Sequence, residues 1–127
     1  MKQNIKPTEA ELEILQVIWQ QGPSTVRSVH EKLAELRDIG YTTTLKNMQN
    51  MVQKGLLTRD ESAKSHVYAT PIPQEKTQKL LIDRLLETAF GGSAGNMVLQ
   101  ALGHRKTSPE ELEQIKALIE KLEGGKL

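Results

Sequence analysis

Cysteine is absent from the 127 residues, so the chain holds no disulfide scaffold, thiolate zinc finger, iron–sulfur ligand or thiol nucleophile. Aromatic residues are scarce: Trp19, Tyr41, Tyr68 and Phe90 are all there are, too few for a stacking platform that grips single-stranded nucleic acid. Neither sign of charge dominates, with 17 Lys+Arg against 16 Asp+Glu and a formal net charge of +1. That balance argues against an unstructured basic tail and carries no global signal for nucleic acid or membrane. No apolar run approaches the length of a membrane span, and the Met1-Lys2-Gln3 start leads into no apolar h-region. A soluble, cytoplasmic chain without membrane insertion is therefore expected. At this length one domain, or one domain with a small appendage, is the expectation.

What is present reads mostly as helix. Thr8 with Glu11 fits a capping box, and Pro7 stands outside the helix it opens. Leu12, Leu15, Ile18 and Trp19 follow at the spacing of one buried face, and Gly22-Pro23 ends the run. Ser24 or Thr25 is placed to cap a second helix, whose apolar stripe is Val26, Val29, Leu33 and Leu36; His30 is expected on its solvated face. Gly40-Tyr41 interrupts again. Thr42-Thr43-Thr44 offers cap hydroxyls for a third helix, and Gly55 sits where a left-handed cap would end it. Along this helix Leu45, Met48 and Val52 form an apolar stripe with Met51 beside it. Thr43, Lys46, Asn47, Asn50 and Lys54 form an opposite face that is polar and cationic and holds no acid.

After Gly55 the period changes. Leu56-Leu57-Thr58-Arg59 and His66-Val67-Tyr68-Ala69-Thr70 flank the polar linker Asp60 to Ser65, which reads as a two-stranded hairpin. A lone hairpin is marginal in water, so it must lean on the helices. Pro71 and Pro73 mark a boundary. Beyond it a long helix from about Gln74 to Phe90 carries Leu81, Leu85 and Ala89, with Ile82 and Leu86 widening the stripe. Gly91-Gly92 breaks it; Ser93 opens a short helix to about Leu102, and Gly103 to Thr107 reads as loop. Ser108-Pro109-Glu110-Glu111 is a strong helix start, and Gly124-Gly125 is the stop.

The predicted fold class is mainly α: a winged helix-turn-helix of three helices and a β-hairpin wing over residues 1–71, then a helical dimerisation region over 72–127. A recognition helix needs one apolar face docked on its partners and one face of donors and acceptors. Asn47 and Asn50 each offer a bidentate amide to adenine, and Lys46 and Lys54 reach guanine or phosphate. Thr42, Thr43 and Thr44, beside Tyr41 and the free amides at the helix start, suit phosphate oxygens. Arg59, Lys64 and His66 place cationic donors along the wing. Any surface helix shows a polar face opposite an apolar stripe; the helix–turn and hairpin on either side make this one informative.

In the second region Leu112, Ile115, Ile119 and Leu122, with Leu118 beside them, make a seam over two heptads. Such a helix is too short for a stable isolated coiled coil. The seam either closes an intrachain three-helix core with Leu81 and Leu85 or packs on a second copy. The homodimer is favoured, because it covers the stripe and doubles the DNA contacts. Catalytic constellations are missing: His30, His66 and His104 stand alone, Ser24, Ser28 and Ser93 sit in no nucleophile elbow, and Gly91-Gly92-Ser93 lacks a phosphate-loop Lys. No enzyme, metal site or cofactor is expected.

In this order the motifs resemble the penicillinase-repressor (BlaI/MecI/CopY-type) family of winged-helix transcriptional regulators. The resemblance runs from about Pro7 to Leu122. It rests on Thr8 to Leu15 with Trp19 and Gly22-Pro23, Tyr41 to Leu45, Val52 to Leu57, Val67-Tyr68, Phe90 to Ser93 and Ser108 to Leu112. It implies a dimeric repressor that binds a palindromic double-stranded DNA operator and dimerises through its C-terminal helices. The copper-responsive branch of the family binds metal through C-terminal cysteines, and this chain has none. In the β-lactam branch a membrane-bound metalloprotease sensor triggers cleavage at an Asn-Phe bond after a Val-Leu pair. The matching stretch is Met97-Val98-Leu99-Gln100-Ala101-Leu102, which places the equivalent bond at Gln100–Ala101 with no aromatic residue. The competing reading, favoured by the near-neutral charge, is a winged-helix adaptor that binds a protein and no DNA.

Overall fold

The computed structural model describes residues 6–125; the Met1-Lys2-Gln3 start lies outside them. Helix α1 (Glu9–Gln21) opens on a reciprocal capping box. Thr8 Oγ1 accepts the Glu11 amide at 3.2 Å, and Glu11 Oε1 accepts the Thr8 amide at 3.0 Å. Helix α2 (Val26–Leu36) is capped by Thr25, whose hydroxyl accepts the Ser28 amide at 3.1 Å. Ser24 has another task, described below. Helix α3 (Tyr41–Lys54) begins at Gly40 with no side-chain cap. The three threonines lie inside the helix rather than at its cap position, because Tyr41 already has helical geometry. Gly55 ends α3 at φ 84°, a left-handed conformation that costs a residue with a Cβ but not glycine.

The core forms where these helices meet. Ile14, Leu15 and Ile18 of α1, Val26, Val29 and Leu33 of α2, and Met48 and Met51 of α3 are buried together with Leu56, Leu57 and Tyr68. Three expected positions shift. Trp19 and Leu12 are half-buried at the edge of the core, while Ile14 and Val17 take inner places on α1. Leu36 is 74% exposed: α2 ends there, the chain turns away at Arg37, and Ile39 packs on the core instead. The Arg37 guanidinium reaches back to Glu13 at 2.8 Å.

Strands β1 (Thr58–Asp60) and β2 (Val67–Ala69) pair antiparallel with Arg59 opposite Tyr68. The hairpin is pinned at its base. Ser24 and Tyr68 exchange both backbone hydrogen bonds, at 2.8 and 2.9 Å, so the link between α1 and α2 acts as a third short strand. Past β2, Thr70 donates to the Leu56 carbonyl at 2.8 Å, and the Trp19 indole N–H donates to the Ile72 carbonyl at 3.0 Å. Thr77 is buried as well.

The chain divides into two compact units, Met1–Lys79 and Leu80–Leu127, rather than at Pro71. The residues after Pro71 stay with the first unit because Trp19 holds them there, and helix α4 (Gln74–Ala89) carries the boundary within it. In the second unit α5 (Ala94–His104) is capped by Ser93, whose hydroxyl accepts the Asn96 amide at 3.0 Å. It continues through Gly103, so the loop read from Gly103 onward starts only at Arg105. Helix α6 (Pro109–Glu123) starts at Ser108 with Pro109 in its first turn. Neither α5 nor α6 buries a residue.

Candidate nucleic-acid interface

Thr44 faces inward from α3. It is completely buried, and its hydroxyl is hydrogen-bonded to His30 Nδ1 of α2 at 3.2 Å. Thr44, Met48 and Met51 therefore form the inward line, at i, i+4 and i+7, with Leu45 and Val52 half-buried on its flank. The outward line is Thr42, Lys46, Gln49 and Gln53, all exposed. This differs from the face expected from the sequence. Lys46 lies on it as predicted, Thr43 and Asn50 are exposed beside it, and Asn47 is half-buried. Thr44 leaves the candidate set, because a buried side chain cannot touch DNA. His30 is likewise not on a solvated face; besides Thr44 it meets the Tyr41 ring edge-on, with centroids 5.6 Å apart.

Two expected cationic contacts are engaged within the protein. Lys54 Nζ lies 2.7 Å from Glu11 Oε2, whose side chain is nearly buried, so Lys54 ties the end of α3 to the start of α1. Arg59 donates to Glu61 at 2.8 Å. Arg27, Lys46 and Lys64 make no ion pair among the described residues. At the wing tip the Ser62 amide donates to Asp60 Oδ1 at 2.9 Å, and Ser62 holds the Asp60 carboxyl below the usual carboxylate range.

A cleft of about 390 Å³ separates the wing from the helices. Lys64, Ser65, His66 and Tyr68 line it from the hairpin, Thr25, Val26 and Arg27 from the start of α2, and Tyr41, Leu45 and Gln49 from α3. No carboxylate is among them. The Arg27 guanidinium lies over the Tyr41 ring, 5.5 Å from its centroid. Tyr41, Lys64 and His66 of the expected set are thus brought to one place, with Arg27 and Gln49 added. Arg27 left one local sign in the sequence: a cation in the first turn of a helix, where the macrodipole disfavours it. Gln49 left none, because its exposure depends on how α3 is rotated.

The family model described as penicillinase repressor matches residues 7–121. The chain belongs to the penicillinase repressor family. Penicillinase repressors are transcriptional repressors rather than enzymes. The chain is 29% identical over 105 residues to the transcriptional regulator BlaI of Mycobacterium tuberculosis, covering 81% of this chain and 74% of that protein. It is 23% identical over 120 residues to the penicillinase repressor of Bacillus licheniformis, covering 94% of each. A solved MarR family protein from Bacillus stearothermophilus has the same fold, with a TM-score of 0.55 at 18% identity over 96% of this chain and 76% of that one.

The second unit of this penicillinase repressor family member carries the remaining expected residues. Leu81 and Ile115 are half-buried; Leu85, Leu112, Leu118, Ile119 and Leu122 are exposed. Gln100 and Ala101 are exposed but lie inside α5, where Gln100 Nε2 donates to Asn96 Oδ1 at 3.1 Å. A protease reaching that bond has to unwind the helix locally. Among the described residues no cluster of His, Asp and Glu is arranged to hold a metal ion, and no helix is long and apolar enough to cross a membrane.

Proposed function

We propose that this protein is a dimeric, operator-specific DNA-binding repressor in which α3 enters the major groove and the wing follows the backbone. The observation that carries the reading is the outer side of α3. It is polar and solvated, with Lys46 unpaired, and it adjoins a cleft that holds Arg27, Lys64 and His66 but no acid. A protein-binding adaptor has no need of such an acid-free, cation-lined surface, and family membership also favours DNA. Anisotropy titrations against the duplex upstream of the protein's own gene test it. Replacing both Lys46 and Asn50 with Ala should sharply reduce preference for the operator over random duplex. Unchanged operator affinity in that double variant overturns the assigned recognition face.

Dimerisation is supported by the second unit, where Leu112, Leu118, Ile119 and Leu122 remain open to solvent in the single chain. An isologous pairing of α6 and its neighbours covers this row and sets two copies of α3 against two half-sites. Operator release then follows from whatever weakens that pairing. Proteolysis at Gln100–Ala101 is one route, with a membrane-bound metalloprotease sensor as the partner that the family resemblance implies.

A further inference from the structure

We infer that the cleft between the start of α2, α3 and the wing seats one DNA strand. Arg27 and Lys64 hold its phosphates from opposite walls, and Gln49 reads a base at its inner edge. The inference rests on the operator-binding reading above and adds two contact residues to it. Arg27 is preorganised for the task. Its guanidinium is steadied by the Tyr41 ring, Tyr41 by the edge of His30, and His30 by the buried Thr44 hydroxyl. A chain of contacts thus runs from the core to the cation. A guanidinium held over an aromatic ring, rather than by a carboxylate, keeps its N–H donors free for a bidentate grip on phosphate. Because Arg27 has no carboxylate partner among the described residues, that grip does not require any of their ion pairs to be broken first.

Lys64 faces the same cleft from the wing, also without an ion pair among the described residues. The apolar floor of Val26 and Leu45 suits a deoxyribose rather than a second charge. Gln49 belongs both to this cleft and to the outward line of α3. A strand whose phosphates lie in the cleft therefore presents its bases beside the Gln49 amide. That amide can donate and accept together, the pairing that recognises adenine in the major groove.

The test uses the full-length protein in anisotropy titrations across a salt series, on the operator and on random duplex of equal length. Arg27→Ala should weaken both complexes about equally, by roughly tenfold, and reduce the magnitude of the salt slope by about one. Arg27→Lys should restore the slope but not the full affinity, since the ammonium lacks the planar fork. Gln49→Ala should lower operator affinity about tenfold or more and change random-duplex affinity less than about twofold. Wild-type salt slope and affinity in Arg27→Ala overturn the phosphate assignment, and an equal loss on both duplexes in Gln49→Ala overturns base reading. If the unaltered protein fails to prefer its operator, the proposed function itself falls. These failures are distinguishable because the first two leave wild-type operator binding intact.

Discussion

Lys54 shows how one side chain on a candidate DNA face can also be engaged within the protein. It sits at the end of a polar helix face, but its ammonium lies 2.7 Å from a carboxylate that is nearly buried. Glu11 also completes the capping box of α1, so the pair joins a helix start to a helix end. Lys54 is itself 41% exposed, so solvent screens much of the interaction. Lys54→Ala should lower stability by about 1 kcal/mol in urea unfolding and leave the salt slope of DNA binding unchanged. A reduced slope at constant stability would return Lys54 to the phosphate contacts. Thr44 is the complementary case: a residue type suited to phosphate contact is instead used in packing, because its hydroxyl meets His30 and its methyl joins the core.

Among the elements, the wing depends most on its surroundings. Each strand has three residues, too few to hold alone. The hairpin persists through the Ser24–Tyr68 pairing at its base and the buried Tyr68, Leu56 and Leu57 side chains. Its tip is ordered by Asp60, whose carboxylate accepts the Ser62 amide. A carboxyl held low in the folded state contributes stability that is complete above its ordinary value. That contribution disappears as pH falls through the lowered one. The wing tip should therefore stay closed at neutral and mildly acidic pH and loosen only in stronger acid. The Ser62 amide resonance followed by pH titration reports it; a transition at or above the ordinary carboxylate value would show that the Asp60 contact does not form in solution.

For the whole molecule, the division of labour between the units is the central feature. The first has a buried core; α5 and α6 of the second bury no residue. A unit with so little interior is marginal by itself, which is the ground for the dimer proposed above. Changing Leu112, Ile115 and Ile119 together to polar residues should give monomers in sedimentation equilibrium. Operator affinity should then fall by orders of magnitude, because the second half-site is no longer bound intramolecularly. A dimer that persists in this variant would refute the seam. The net charge of +1 is consistent with the proposed dimer, in which each chain would bring a few open cations and the pair two such clusters to one duplex.

The sequence by itself determined the order of elements, the caps at Thr8, Ser93 and Ser108, the stop at Gly55 and the winged architecture. Those signals are local: a hydroxyl and an amide three residues apart, or a glycine in a left-handed turn, need no knowledge of the rest of the chain. The apolar stripe of α3 was legible too, but only to within a neighbouring row, since Leu45 and Thr44 compete for the inward place and hydrophobicity alone favours the leucine. Tertiary structure decided that contest by burying Met48 and Met51, which turns Thr44 inward to meet His30, fourteen residues away. It also decided Lys54 through Glu11, the base of the wing through Ser24, and the position of Arg27 through Tyr41. Each outcome depends on which side chains are brought within a few ångströms by helix packing, and spacing along the chain does not encode that distance. The candidate interface is therefore a product of how α3 is rotated against its neighbours, with Thr44, Met48 and Met51 turned inward.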